Sequence, residues 1–284
     1  MDGAHGTLYV MGSLCQESFE RTLAVRPPVG DSNLMNEQST GPGTNGTGSA
    51  RVPMFNVPAS VLATAALLIL VHFVRTLLPP EESIAVLLTL AFIPARYLAS
   101  APALPGGTIA DFTSFVTYML VHANYMHLLV NLFWMLAFGS AIAKRLGGRG
   151  FFGFSVFCGV AAAATHLALH FGEMIPVVGA SGAISGQMAG AIRFLFGPRS
   201  PTSGGRIDVQ NQPLTPIWQT LKDGRILLFL AIWAGLNLMF GLGYVSIEGA
   251  GEDIAWEAHL GGFLAGLLSF DFFDRMYARS RPVD

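Results

Sequence analysis

Charged residues are scarce in this chain. Only 12% of its 284 residues are Asp, Glu, Lys or Arg, whereas 52% are hydrophobic and the mean hydropathy is +0.51. Soluble domains carry about 25% charged residues, so this composition indicates a polytopic membrane protein. The formal net charge is only −2 and no basic tract is present. We therefore expect the chain to contact a lipid bilayer and no nucleic acid.

Cysteines are few, and a cleavable targeting segment is not evident. Cys15 and Cys158 are the two cysteines, too few for a disulfide framework. The first long apolar run begins near residue 57, too late for a signal peptide, and acidic residues before it disfavour a mitochondrial transit peptide. Residues 1–55 are polar and rich in Gly, Ser, Thr and Asn, which predicts a disordered cytoplasmic N-terminal tail.

Six apolar segments are candidates for membrane-spanning helices, each of which needs about 20 residues. They lie at about 57–74, 124–143, 151–172, 180–197, 226–247 and 254–273. A long first outer loop follows the first span and contains a shorter apolar piece at 84–95, which we interpret as interfacial or re-entrant. The sequence thus predicts an all-α membrane protein, with a six-transmembrane-helix bundle over residues 56–276 and a short cytoplasmic tail at 277–284.

The basic residues predict how this bundle is oriented. Arg96 lies in the long outer loop, but three clusters lie on the opposite side of a six-span topology: Lys144, Arg145 and Arg149; Arg193, Arg199, Arg206, Lys222 and Arg225; and Arg275, Arg279 and Arg281. The positive-inside rule assigns that side to the cytoplasm. We expect a multi-pass protein, and place it in the bacterial inner (plasma) membrane. Both termini would be cytoplasmic, and spans four and six would begin near the outer face.

Polar side chains near the start of span two are candidate functional groups, because polar groups inside a membrane are costly. His127 and Asn131 are four residues apart and therefore share one face of the helix. His122 precedes them at the junction between loop and helix. Interhelical hydrogen bonding alone would also explain this group.

Other polar residues in the spans have simpler interpretations. His72 lies near the outer end of span one, where we expect it to reach headgroups or water. Asn237 in span five is interpreted as an interhelical hydrogen bond. His166 and His170 have the i,i+4 spacing of a metal-binding pair, but the sequence gives no evident third ligand.

A serine and a histidine stand beside two stripes of small residues. Each stripe has a small residue at every fourth position: Gly182, Gly186 and Gly190 in span four, and Ala258, Gly262 and Gly266 in span six. Such stripes let two helix backbones approach closely. If these parallel helices pack along them, Ser181 and His259 meet at similar depth as a nucleophile with its general base. Packing alone would explain the small residues but not this pair.

These residues together resemble the rhomboid family of intramembrane serine proteases. Three groups carry the resemblance by their order, spacing and six-span frame over about residues 57–275: His122-x4-His127-x3-Asn131, Gly179-Ala180-Ser181-Gly182 and Ala258-His259-x2-Gly262-x3-Gly266. The resemblance implies that Ser181 is the nucleophile and His259 its base. It implies an oxyanion hole formed by the backbone N–H of Ser181 with the side chains of His127 and Asn131.

The resemblance also implies supporting positions and an activity. The supporting residues would be His122, Gly179, Gly182, Gly262 and Gly266. The activity would be endopeptidase cleavage of single-pass transmembrane substrates, with no cofactor and no metal. A non-cleaving rhomboid-like chaperone or adaptor and a small transporter are the alternatives.

Three departures from the family pattern concern loop anchoring and support of the histidine. They stand at Thr113-Ser114, Ala143 and Ser185. Ser185 lies one helical turn after Ser181 and is interpreted as support rather than as the nucleophile.

Overall fold

The computed structural model describes residues 57–100, 103–197, 209–241 and 255–278, and these residues are predominantly helical. The helices are α1 Ala59–Thr76, α2 Pro80–Leu90, α3 Gly107–Thr117, α4 Tyr125–Trp134, α5 Ser140–Leu169, α6 Ser181–Leu195, α7 Ile217–Thr220, α8 Gly224–Gly241 and α9 Trp256–Ala278. Short 3₁₀ helices occur at Pro94–Tyr97 and Tyr118–Leu120, and a π-helical turn at Met135–Gly139 joins α4 to α5. The predicted tails, 1–55 and most of 277–284, lie outside the described residues.

Within the described ranges, two helical stretches are long and apolar enough to cross a membrane, Ala59–Thr76 and Tyr125–Leu169. The second is broken at Gly147, whose φ of 73° and ψ of 173° are not helical. Across this break the chain folds back, because the ring of Phe151 lies 3.2 Å from the position of a Cβ at Gly139. Twelve residues of continuous helix would separate these positions by about 18 Å. The two arms correspond to the second and third predicted spans.

The remaining predicted spans are helical over most of their length in the described residues. Helix α6 has 15 residues, α8 has 18 and α9 has 23. The end of the fifth predicted span and the start of the sixth fall among residues 242–254, outside the described ranges. The count of six membrane crossings therefore stays a prediction.

Helix α6 forms the centre of the bundle. Every residue from Gly182 to Phe194 is buried, between α5 on one side and α9 on another. A Cβ added at Gly262 would collide with the carbonyl of Gly182, and one at Gly266 with the backbone of Gly186. The predicted backbone-to-backbone packing of the two small-residue stripes is therefore confirmed.

The long loop between α1 and α4 is held by hydrogen bonds to backbone groups. Phe92 and Val177 exchange two backbone hydrogen bonds of 3.0 and 2.8 Å. The buried guanidinium of Arg96 donates to the carbonyls of Leu88 and Pro105 at 2.5 and 3.0 Å. The Phe92–Val177 bridge ties this loop to the segment that leads into α6. These contacts anchor the loop. They do so although Thr113-Ser114, in the same loop, depart from the rhomboid pattern at positions associated with loop anchoring.

The prediction that His72 reaches headgroups or water is wrong. The residue is 1% exposed, and its ring packs edge-on against Tyr125 with centroids 4.5 Å apart. Tyr125 begins α4, so the packing of α4 against α1 covers the imidazole. Periodicity within α1 could not show which neighbour would lie over this face.

Candidate active site

Ser181 and His259 are in direct contact. The Oγ of Ser181 lies 2.7 Å from Nε2 of His259. Ser181 is the first residue of α6, and His259 is in the first turn of α9. The close packing of these helices brings together two residues that are 78 positions apart in the sequence. Both are half-buried, so the pair remains partly accessible.

Asn237 on α8 completes a chain of hydrogen bonds through the imidazole. Its Oδ1 lies 2.5 Å from Nδ1 of His259, and its Nδ2 donates to the carbonyl of Trp233 at 2.7 Å. A carbonyl only accepts, which assigns the amide nitrogen to Trp233 and the amide oxygen to His259. Nδ1 of His259 therefore carries the hydrogen, and Nε2 accepts the hydroxyl hydrogen of Ser181.

The sequence correctly predicted an interhelical hydrogen bond for Asn237 but did not identify His259 as its partner. Asn237 does make an interhelical hydrogen bond. The signal in the sequence was a single amide in an otherwise apolar helix, which does not indicate the direction of the side chain. The stacked rings of Trp233 and Phe263, with centroids 5.2 Å apart, hold α8 against α9 at this level.

His127 and Asn131 converge on Gly179, two residues before Ser181. Gly179 has a φ of +100°, a conformation that favours glycine. A Cβ there would lie 2.7 Å from Nε2 of His127 and 3.7 Å from Nδ2 of Asn131. Gly179 therefore permits both the backbone conformation and the close approach of the histidine ring. The structure thus brings both predicted oxyanion side chains to the segment that presents the serine.

Local hydrogen bonds explain how α4 presents these side chains. The side chain of Asn124 accepts the backbone N–H of His127 at 2.8 Å and caps the helix. Nδ2 of Asn131 donates one hydrogen to the carbonyl of His127 at 2.9 Å. An amide nitrogen carries two hydrogens, so this contact uses only one of them. Asn131 itself is buried.

His122 lies at the junction between the loop and α4, as its predicted supporting role requires. The residue is fully buried, and its carbonyl accepts a hydrogen bond of 2.7 Å from the guanidinium of Arg75. Its ring meets the ring of His127 edge-on, with centroids 5.2 Å apart. Arg75 on α1 thereby connects the first helix to the segment that holds His127.

Two other residues near the pair have contacts of their own. The Oγ of Ser185 donates to the carbonyl of Ser181 at 2.8 Å, so this hydroxyl is engaged within α6. The carboxylate of Glu257, two residues before His259, pairs with two other histidines: its Oε1 lies 2.9 Å from His166 and 3.0 Å from His170. The group that contacts Nδ1 of His259 is instead Asn237.

A family model described as Rhomboid domain matches residues 110–273. The chain is a rhomboid. A comparison with curated proteins found no similar sequence. The match contains α4, α6, α8 and most of α9, and with them Ser181, His259, His127, Asn131 and Asn237. The family is membrane-embedded, so this rhomboid is an all-α membrane protein. Rhomboids are usually intramembrane serine proteases, although inactive members exist.

Proposed function

We propose that this rhomboid is an intramembrane serine endopeptidase that uses a Ser181–His259 dyad. The observation that carries the proposal is the continuous series of hydrogen bonds from Ser181 through His259 to Asn237. A serine hydroxyl is a weak nucleophile unless a base accepts its proton, and the third group must fix the base in one tautomer. An inactive scaffold would need neither the tautomer nor the alignment.

In the proposed reaction, the Oγ of Ser181 attacks the scissile carbonyl while Nε2 of His259 takes its proton. Asn237 holds Nδ1–H during this step and continues to accept it in the imidazolium that forms. His259 then gives the proton to the leaving amine as the C–N bond breaks. A water molecule then attacks the ester carbonyl of the acyl-enzyme while Nε2 of His259 takes its proton. His259 returns this proton to the Oγ of Ser181 as the ester C–O bond breaks, which releases the second product.

The negative charge on the carbonyl oxygen develops beside the N-terminus of α6. Backbone N–H groups in the first turn of a helix have no intrahelical acceptor and carry partial positive charge. The Ser181 N–H is one of them, and the proposed partners are His127 and the second hydrogen of the Asn131 amide. Loss of one such donor typically lowers the rate by about 10²–10³.

The proposed substrates are single-pass transmembrane proteins. An intact helix uses its own peptide groups in hydrogen bonds, so it must unwind before a peptide bond can reach Ser181. We therefore expect substrates with helix-weakening Gly or Pro near the cut and a small residue before it. The active site would face the outer side of a bacterial inner membrane, with both termini in the cytoplasm.

Labelling with a fluorophosphonate probe in detergent tests the proposal. We expect the parent chain to be labelled and the Ser181→Ala and His259→Ala variants to be unlabelled. Ser269→Ala is a matched control, because its hydroxyl donates to Ala265 within α9 and is remote from the dyad. An unlabelled parent would reject the protease and favour a non-cleaving adaptor. Labelling that survived in Ser181→Ala would show that another serine is the nucleophile, and Ser185 would be the next residue to substitute.

A further inference from the structure

Two histidines and a glutamate converge outside the dyad. His166 and His170 lie at the end of α5, and Glu257 lies in the first turn of α9. Nδ1 of His166 and Nε2 of His170 are 2.9 and 3.0 Å from the same oxygen, Oε1 of Glu257. All three ligand atoms lie within 4.8 Å of one another. The third ligand that the sequence did not reveal is thus supplied by another helix.

One close contact in this cluster, between His166 and Glu257, has no hydrogen to share when both imidazoles are neutral. Nε2 of His166 lies 3.2 Å from the carbonyl of Ile175, and a backbone carbonyl can only accept a hydrogen bond. Nε2 therefore carries the hydrogen, which leaves a lone pair on Nδ1. That lone pair faces a carboxylate oxygen at 2.9 Å. Two acceptors at this distance need either a hydrogen or a metal ion between them.

The outer contacts of both histidines are those of metal ligands. A metal-bound histidine almost always donates its other N–H to a backbone carbonyl or a carboxylate. His166 has the carbonyl of Ile175 as this partner, and His170 has Oε2 of Glu173 at 3.0 Å. These contacts turn the remaining nitrogens of the two rings toward Glu257. This observation is independent of the distances among the three ligand atoms.

We infer that His166, His170 and Glu257 bind a divalent transition-metal ion, for which zinc is the best fit. Two imidazole nitrogens and one carboxylate form a donor set typical of zinc with one open position. Magnesium and calcium prefer sites made of oxygens alone. Zinc bonds of about 2.0–2.1 Å in a tetrahedron place ligand atoms roughly 3.4 Å apart. Each nitrogen therefore needs to move only a few tenths of an ångström away from Oε1, and the two nitrogens already lie within 4.8 Å of each other.

Two of the three ligands are buried and the third is partly exposed, so the site is accessible from one edge only. The side chains of His166 and Glu257 are 0% and 8% exposed, whereas that of His170 is 28% exposed. An ion can therefore enter beside His170 and find its fourth ligand in water. Once bound, it joins the end of α5 to the first turn of α9, two residues before His259. The ion would act as a clamp on the helix that carries the proposed base.

Metal content of the purified full chain tests this inference. The protein carries an affinity tag without histidine, is stripped with a chelator and is equilibrated with Zn²⁺. We expect one zinc ion per chain by mass spectrometry of the metal. Glu257→Gln preserves side-chain volume but removes the charged ligand, and it should lose the ion. His170→Ala, at a partly exposed position, should lose it as well and serves if Glu257→Gln does not fold.

Control variants separate this site from other zinc binding. His5→Ala removes a histidine of the N-terminal segment and should keep the ion. Glu173→Gln changes only an outer contact and should weaken zinc binding about tenfold. Zinc should raise the melting temperature of the parent and of Ser181→Ala, but not of Glu257→Gln, because an ion that binds only the folded state stabilises it.

Two results would overturn the inference. One is a parent chain that binds no zinc and whose melting temperature is unchanged by it. The other is zinc binding that is the same in Glu257→Gln and His170→Ala as in the parent. Since Ser181→Ala is expected to bind the ion normally, the outcome does not depend on whether the chain proves to be a protease.

Discussion

At the scale of single residues, the tautomer of His259 is the property on which the proposed chemistry depends. The ring must present a lone pair to Ser181 and a hydrogen to its other side. Asn237 enforces this arrangement because its amide nitrogen is already engaged by the carbonyl of Trp233. A polar side chain in an apolar helix is thus explained by the histidine that it positions.

We predict that Asn237→Ala lowers kcat on the order of tenfold to a hundredfold with little change in KM. The physical reason is the loss of a hydrogen bond to an imidazole that becomes charged during the reaction, worth about 1.5–3 kcal/mol. Asn237→Asp retains an acceptor oxygen and should restore much of the lost rate. Steady-state kinetics with a cleavable transmembrane peptide measures both. Equal kcat in Asn237→Ala and the parent would exclude this positioning role.

At the scale of helices, the approach of α6 and α9 determines whether Ser181 and His259 can touch. Gly262 faces the backbone carbonyl of Gly182, which cannot move aside as a flexible side chain could. The same holds one turn deeper, between Gly266 and Gly186. The distance between the two helices therefore depends on the absence of a methyl group at these positions.

We predict that Gly262→Ala destabilises the fold by about 1–3 kcal/mol, the usual effect of overpacking, and reduces fluorophosphonate labelling. Gly235→Ala on α8 is the matched control, because no heavy atom lies within 4 Å of its added Cβ. It should be neutral or should stabilise by up to about 1 kcal/mol, since alanine favours helix over glycine. Thermal unfolding in detergent measures both changes. A Gly262→Ala variant as stable as the parent would contradict the close helix contact.

At the scale of the whole molecule, charged pairs and the proposed dyad lie at opposite ends of α9. Arg145 pairs with Asp274 at 2.8 Å, and Arg193 pairs with Asp271. Asp271 and Asp274 follow His259 by 12 and 15 residues, or about 18–22 Å of helix. Positive residues concentrated at the end remote from Ser181 agree with a cytoplasmic location for that end.

Cysteine labelling of intact cells tests this orientation. In a Cys15→Ser background, we expect Met174→Cys to react with a membrane-impermeant maleimide, because this exposed position precedes α6 on the side of Ser181. Lys222→Cys, exposed before α8, should react only after the membrane is permeabilised. Cys158 is buried and should remain unlabelled in both. The reverse pattern would invert the proposed topology.

The sequence by itself determined the helical membrane character, the small-residue stripes and the pairing of Ser181 with His259. These features depend on composition and on spacing along one helix, which are local properties. The predicted stripes also restrict how two helices can meet, and this is why a contact between residues 78 positions apart could be predicted.

Only the tertiary structure decided which partners the other polar side chains contact. Asn237 contacts His259, Glu257 contacts His166 and His170, and His72 is covered by Tyr125. Each of these contacts depends on how a helix is rotated about its own axis. An apolar helix in a membrane has no strongly polar face to fix that rotation, so the packing of neighbouring helices sets it.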